Sequence, residues 1–394
     1  MKILLAEDFE DNRFFLTMVL ESFGYEVIAA NDGQQAWNIL IQQEDINLVL
    51  SDWVMPNIDG IRLCQLIRQS HRSRYTYIIL MTAIGEEKAV VRGMEAGADD
   101  FLRKPVESEE LRVRLNAGQR VIELENTLAE RNQKLQEAYN QIKQDLESAA
   151  EMQQDLLPEP KILADFRFDR LFYPCQFIAG DIFNFFELGE YHIGFYQLDV
   201  SGHGIRSALL SFTLYHRIAN EPYQRGLLLR KIDGEYQPVP PEQVLYALNN
   251  RFQSSVYSDL YFTMVYGHIH KKTGELQFVQ AGHPSPIYIP VASKKAQICG
   301  EGGFPVGLLP DREYDRITLH LQPGDRLFLY SDGITECMNQ EDTFFSEERL
   351  LQLLETTQKH PLSTISKHVG ATLKTWHGCE KFEDDITLLA IERL

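Results

Sequence analysis

From Glu109 to Leu157 the chain carries no proline and a single glycine, Gly118. Polar helix formers fill the stretch, and Pro158 is the first residue able to stop it. Such a run predicts one long helix, which obliges the rest of the chain to fold as separate bodies on either side. Val121, Leu128, Leu135, Ile142, Ala149 and Leu156 recur at every seventh position, as one seam of a coiled coil would. The companion series Leu124, Arg131, Ala138, Asp145 and Met152 is mixed. One good stripe beside one mixed stripe predicts an adjustable homodimer contact. The expected organisation is a first domain over 1–120, a helical coiled-coil linker over 121–158 and a second domain over 159–394.

In the first domain, apolar runs too short for helices alternate with amphipathic stretches. Ile3–Ala6, Val27–Ala30, Leu48–Leu50, Ile78–Met81 and Phe101–Leu102 read as buried parallel strands. Asn12–Phe23, Gln34–Ile41, Gly60–Arg68 and Glu86–Ala96 read as crossover helices. The fold class is α/β, a five-stranded doubly wound parallel sheet with its chemistry at the carboxyl ends of the strands. Glu7 and Asp8 follow the first strand, Asp52 ends the third, Thr82 the fourth and Lys104 the fifth. Three acids there can hold Mg²⁺, with the Val54 carbonyl as a further ligand. Asp52 would serve as carboxylate nucleophile toward a phosphoryl group, whose oxygens Lys104 and Thr82 would meet. Asp99 and Asp100, before the last strand, are read as a solvated loop or cap.

These motifs, with Asp52-Trp53-Val54-Met55-Pro56 and Lys104-Pro105, resemble the response-regulator receiver family in order across the whole segment. The resemblance implies that Asp52 takes phosphate from a sensor histidine kinase or phosphotransfer protein. It also puts Phe101 at the aromatic switch position coupled to Thr82.

The second domain is rich in alternating β-type runs, among them Phe166–Tyr173, His192–Leu198, Tyr261–His268, Arg326–Tyr330 and Ile386–Ile391. Helical stretches fall at Ile205–Asn220, Pro241–Ser255, Ser346–Thr356 and His360–Thr375. Together they predict an α+β domain, an antiparallel β-sandwich flanked by helices. Residues 221–241, with Pro222, Pro238, Pro240 and Pro241, read as a surface loop.

Four aspartates stand beside glycine or at strand ends: Asp181, Asp199, Asp332 and Asp384. Carboxylates that meet without matching lysines or arginines repel, so the set implies a pair of divalent cations. Oxygen-only ligands select Mg²⁺ or Mn²⁺. Two such ions can share a water and depress its pKa toward neutrality. No Cys-x5-Arg motif offers a thiol nucleophile instead.

Ala179-Gly180-Asp181, Leu198-Asp199-Val200-Ser201-Gly202-His203-Gly204, Ala281-Gly282-His283-Pro284, Tyr330-Ser331-Asp332-Gly333 and Asp384-Asp385-Ile386-Thr387 resemble the metal-dependent serine/threonine phosphatase superfamily, in its bacterial stress-response and sporulation branch. The resemblance implies that Asp199 bridges two metals. Asp181 and the Val200 carbonyl join one ion, and Asp332 and Asp384 bind the other. It also implies a phosphoserine or phosphothreonine protein as substrate, such as an anti-sigma-factor antagonist. Asn184 stands where the family often has a second acid, and Gln280 where asparagine is common. His203 and His283 suit either catalysis or turn structure. Asp385 is read as a turn or supporting residue. The rival reading is a non-catalytic adaptor that keeps the fold as a docking surface.

A formal charge of −19 offers no cationic footprint for nucleic acid. Five cysteines, odd in number and without a C-x-x-C pair, suit a reducing compartment. No apolar run reaches the length of a membrane span, so the expectation is a cytoplasmic protein.

Overall fold

The structure, a computed structural model of the 394-residue chain, describes all residues except 71, 73, 84–86, 203, 220–225, 233 and 254–258, and not the side chains of 87–90 and 219. It divides into two units, Met1–Gln141 and Ile142–Leu394.

In the first unit, β1 (Lys2–Ala6), β2 (Glu26–Ala30), β3 (Leu48–Asp52), β4 (Tyr77–Ala83) and β5 (Asp100–Lys104) form a parallel sheet in the order β2-β1-β3-β4-β5. The strands alternate with α1 (Glu10–Ser22), α2 (Gly33–Gln42), α3 (Gly60–Gln69) and α4 (Glu87–Glu95). Residues of opposite parity enter opposite cores, as strand geometry requires. Leu4, Val49 and Ile78 pack on one face; Ile3, Leu5, Leu48, Leu50 and Ile79 pack on the other. Both faces being covered explains why the runs are continuously apolar. Asp32 and Asp59 cap α2 and α3 by accepting the Gln35 and Arg62 N–H groups, each at 2.7 Å.

Asp99 and Asp100 are not solvated. Asp99 pairs with Arg68 at 2.6 Å and accepts the Ile78 N–H, while Asp100 pairs with Arg114 at 2.9 Å. Sequence order placed both before the last strand, yet Asp100 is the first residue of β5, and only the fold brings those two arginines against them.

Helix α5 runs unbroken from Ser108 to Leu156. Leu111, Leu115 and Ile122 are buried in the first unit, which fixes the start of the helix. Further along, Leu128, Leu135 and Ile142 are exposed.

The second unit stacks two antiparallel sheets. In chain order the strands are β6 (Lys161–Leu163), β7 (Phe166–Tyr173), β8 (Ile182–Leu188), β9 (His192–Val200), β10 (Leu229–Ile232), β11 (Glu235–Pro238), β12 (Phe262–His270) and β13 (Glu275–Ala281). They continue with β14 (Ile287–Ile289), β15 (Gln297–Ile298), β16 (Arg316–His320), β17 (Arg326–Tyr330) and β18 (Ile386–Arg393). One sheet has the order β16-β13-β12-β9-β8, the other β15-β14-β17-β18-β7-β6. Helices α6 (Ile205–Ala219), α7 (Pro241–Arg251), α8 (Asp332–Thr335), α9 (Glu347–Thr357) and α10 (Leu362–His377) complete it.

Period-two alternation divides β17 between two cores. Leu327 and Leu329 join the core that holds residues of both sheets, while Phe328 and Tyr330 join the core that holds α9 and α10. Phe168 and Phe185 stack across the sheets with ring centroids 4.4 Å apart. The sandwich expectation holds, with two additions. Leu229–Ile232 and Glu235–Pro238 pair antiparallel as β10 and β11 where a plain loop was expected; Pro222, from the same stretch, lies outside the described residues. Strand β8 went unread because Ile182, Phe183 and Phe185 bury both of its faces, leaving no polar alternation to see.

Candidate functional site

At the carboxyl end of the first sheet, Glu7, Asp8 and Asp52 bring one ligand oxygen each within 4.8 Å of one another. Lys104 reaches in from the end of β5, 2.7 Å from Asp52 and 2.8 Å from Glu7. Burial disfavours its charge, yet the hydrogen bonds to Asp52 and Glu7 win and hold the ammonium above its ordinary pKa. Glu7 Oε1 and Asp8 Oδ1 are buried without a hydrogen-bond partner among the described residues. Two orphaned oxygens beside a third carboxylate fit a hard cation well. Arg13 steadies the backbone below them, donating to the Glu7 and Asp8 carbonyls at 2.8 and 3.0 Å. Val54 lies just beyond on an exposed loop, and buried Thr82, the last residue but one of β4, follows Met81, the sheet partner of Asp52. Phe101 sits half-buried under the Arg114 guanidinium. A Cβ on Gly60 would lie 2.3 Å from the Asp52 carbonyl, so only glycine lets α3 start this close to the site.

The second site is a cavity of about 540 Å³ in the Ile142–Leu394 unit. Asp199, Ser201, Gly202, Tyr261 and Thr263 line it from β9, β12 and the turns after and before them; Asp332 and Asp384 line it from the other sheet's loops. No lysine or arginine stands among the described residues lining it. Antiparallel pairing puts Thr263 opposite Asp199. Asp332 opens α8 directly after β17, and a Cβ on Gly333 would meet the Asp385 carbonyl at 2.2 Å. Glycine therefore allows the Asp332 and Asp384 loops to touch.

Asp181 is buried behind Asp199, and Thr387 Oγ1 donates to it at 2.5 Å. Asp385 accepts the N–H groups of Cys175 and Gly180 at 2.8 Å and of Asp181 at 3.4 Å, which fastens the loop that carries Asp181. Val200 is buried at the end of β9. Asn184 is buried within β8 and hydrogen-bonds the Phe185 N–H.

Burial, then the Asp199 charge, pushes the Asp181 carboxyl well above its ordinary pKa. Burial, then Asp332, pushes Asp199 up to about 8; burial, then Asp384, pushes Asp332 up to about 6. Acids so crowded and without a counter-cation fit divalent metal as the missing positive charge. Cys175 also comes within 4.8 Å of Asp384 and Asp385, a closeness its sequence position gave no sign of. Thr263 and Thr387 were likewise missed, since a threonine within a strand carries no local signal. His283 is buried, its Nδ1 2.8 Å from Thr263 Oγ1 and its Nε2 without a partner among the described residues. Burial lowers its pKa to about 3, so the ring is neutral. His203 lies outside the described residues.

Known proteins match both halves. The family described as Response regulator receiver domain matches residues 3–116, and that described as Stage II sporulation protein E (SpoIIE) matches residues 189–394. Response regulator RppA of Synechocystis sp. is 41% identical over 121 residues, 30% of this chain and 51% of that protein. Phosphoserine phosphatase RsbU of Bacillus subtilis is 26% identical over 268 residues, 66% of this chain and 74% of that protein. The chain spans about half the length of the curated receiver-containing relatives it matches, such as RppA at 51%. The solved SiaA-PP2C domain of Pseudomonas aeruginosa aligns with a TM-score of 0.54 at 20% identity, covering 65% of this chain and 98% of that one, a likeness of fold.

Proposed function

The chain belongs to the SpoIIE family and opens with a receiver domain, and from these two facts we propose that it is a metal-dependent protein serine/threonine phosphatase controlled by phosphorylation of Asp52. The observation that carries the proposal is the crowding of Asp199, Asp332 and Asp384 in a cavity that no described lysine or arginine lines, with Asp181 buried behind Asp199.

In this reading Asp181, Asp199 and the Val200 carbonyl hold one Mn²⁺ or Mg²⁺, and Asp199, Asp332 and Asp384 hold the second. Two such ions supply Lewis acidity and a water of lowered pKa for attack on phosphorus. Thr387 orients Asp181, and Asp385 fixes the backbone that presents it. In the receiver, Glu7, Asp8, Asp52 and the Val54 carbonyl hold Mg²⁺. Asp52 takes the phosphoryl group from a histidine kinase or phosphotransfer protein, and Lys104 and Thr82 hold its oxygens. The functional division is 1–120, 121–158 and 159–394, with dimerisation through the exposed Leu128, Leu135 and Ile142 stripe of α5.

The substrate would be a phosphoserine protein, a reading supported by the likeness to phosphoserine phosphatase RsbU; a phosphorylated anti-sigma-factor antagonist is the case that the resemblance of the motifs implies. The proposal places its action in the cytoplasm, where the five free cysteines stay reduced. No helix among the described residues is long and apolar enough to cross a membrane.

Phosphate release from a phosphoserine protein in Mn²⁺, with and without acetyl phosphate, tests the proposal. Asp199→Asn is expected to cut turnover by roughly a hundredfold or more, the scale of losing a group that positions transition-state charge. Turnover that survives EDTA overturns the metal dependence, turnover unchanged in Asp199→Asn overturns the ligand assignment, and the absence of any Mn²⁺-dependent phosphate release favours the adaptor.

A further inference from the structure

Two loops on one flank of the cavity carry charge and apolar surface that the proposed metal ligands leave unused. Residues 336–344 contribute Glu336, Met338 and Phe344 to the lining, and residues 377–384 contribute His377, Phe382 and Glu383. The loops are fastened to each other. Trp376 Nε1 donates to the Cys337 carbonyl at 3.1 Å. The His377 ring sits between two more carbonyls, that of Met338 at 2.8 Å from Nδ1 and that of Lys381 at 2.9 Å from Nε2. Met338 and Phe344 pair as an isolated β-bridge that closes the turn between them. A surface fixed before docking loses little conformational entropy when a partner arrives.

The charge on this platform has one dominant sign. Glu336 and Glu383 face the cavity, and Glu341, Asp342 and Glu380 are exposed on the same loops. Lys381 is the single lysine or arginine within 336–344 and 377–384. Beside the acids, Phe344 is 50% exposed and leaves an apolar ring face open at the edge of the cavity. A phosphorylated segment that leaves the aspartates over this flank lays its neighbouring residues against carboxylates and an open aromatic face. An acidic flank meets repulsion there; a basic and apolar flank meets complementary charge and a ring to pack on.

We propose that this platform reads the residues beside the phosphoserine or phosphothreonine, taking a basic side chain at Glu336 and Glu383 and a large apolar one at Met338 and Phe344. The inference rests on the phosphatase reading and narrows its substrate class: polyanionic small molecules and acidic phosphopeptides are poor ligands.

Matched phosphoserine peptides, differing only in Arg or Glu and in Phe or Ser beside the phosphoserine, test this on the full chain in Mn²⁺. Fluorescence anisotropy reads binding, phosphate release reads turnover, and p-nitrophenyl phosphate serves as a substrate without flanks. The Arg/Phe peptide is expected to exceed the Glu/Ser peptide about tenfold in affinity and in kcat/KM, the scale of a complementary against a like-charged contact. Glu383→Lys should reverse the Arg-over-Glu ratio, and Phe344→Ala should remove the Phe-over-Ser ratio while leaving the charge ratio in place. Equal binding of all the peptides overturns the proposal, as does a charge ratio that Glu383→Lys does not move. Failure of the phosphatase reading has a different signature. No peptide and no p-nitrophenyl phosphate would then be hydrolysed, while anisotropy still reports whether the platform discriminates.

Discussion

Gln153 and Ala179 exchange two hydrogen bonds, the Gln153 amide donating to the Ala179 carbonyl and its oxygen accepting the Ala179 N–H, each at 2.9 Å. Gln153 is a buried polar side chain in the last turns of α5, and Asp181 follows Ala179 by two residues. The position of a proposed metal ligand is therefore tied to the end of the long helix. Gln153→Leu leaves both backbone groups of Ala179 buried and unpaired, at a cost of about 1–3 kcal/mol each. The expected result is a lower Tm and a Mn²⁺ affinity reduced roughly tenfold, the equivalent of 1.4 kcal/mol, by isothermal calorimetry. Unchanged affinity in a folded variant would show that helix and site are independent.

That pair also marks how far sequence could go. The ends of β3, β5, β9 and β17 were legible because apolar runs stop at a carboxylate or lysine, which put Asp52, Lys104, Asp199 and Asp332 at strand ends. The long helix was legible from the absence of proline. Gln153 was not, because a glutamine among polar helix formers looks solvated until the sheet below it is in place. Thr387 and Cys175 were hidden for the same reason: their roles come from neighbours 206 and 210 residues away in the chain.

Acidity should reveal the crowded carboxylates directly. An acid whose pKa is raised on folding stabilises the folded state fully below its unfolded value, and that contribution is lost as pH rises through the folded value. With Asp199 at about 8 and Asp332 at about 6, and ordinary carboxylates near 4, metal-free protein is expected to melt progressively lower between about pH 4 and pH 8. Mn²⁺ takes the protons' place, so its binding near pH 6–7 should release protons and flatten that slope. Thermal melts in EDTA across this range, and calorimetry in two buffers of different ionisation enthalpy, measure both effects. A metal-free melting temperature that holds steady to pH 8 would contradict the buried cluster.

The receiver separates from this chemistry by mutation. Asp52→Ala removes one of the two carboxylates that share Lys104, and Glu7 remains 2.8 Å from the ammonium to hold it. The fold should survive with little loss. Intact-mass measurement after acetyl phosphate should show the phosphoryl adduct on the wild type and none on the variant. Mn²⁺-dependent hydrolysis by the variant should stay at the level of the unphosphorylated wild type. A retained adduct would move the phosphoryl acceptor to another residue.

Leu128, Leu135 and Ile142 are 53%, 70% and 58% exposed, one heptad apart on a helix that stays continuous past all three. Burying such side chains between two copies contributes about 25 cal/mol per Å² of apolar surface removed from water. With Leu124, Ala138 and Met152 as the apolar members of the mixed second stripe, the gain suits a contact that a small bias can make or break. Leu135→Asp places a charge at the centre of that stripe, where pairing would take it out of water in place of apolar surface. Sedimentation velocity should find wild-type dimer, more of it after acetyl phosphate, and monomer in the variant at both conditions. Basal hydrolysis should persist in the monomer, because one chain supplies the aspartates and the described lining of the cavity, while the response to acetyl phosphate disappears. A variant that sediments as wild type would remove α5 as the dimer contact, and a monomer that still responds would put the regulation within a single chain.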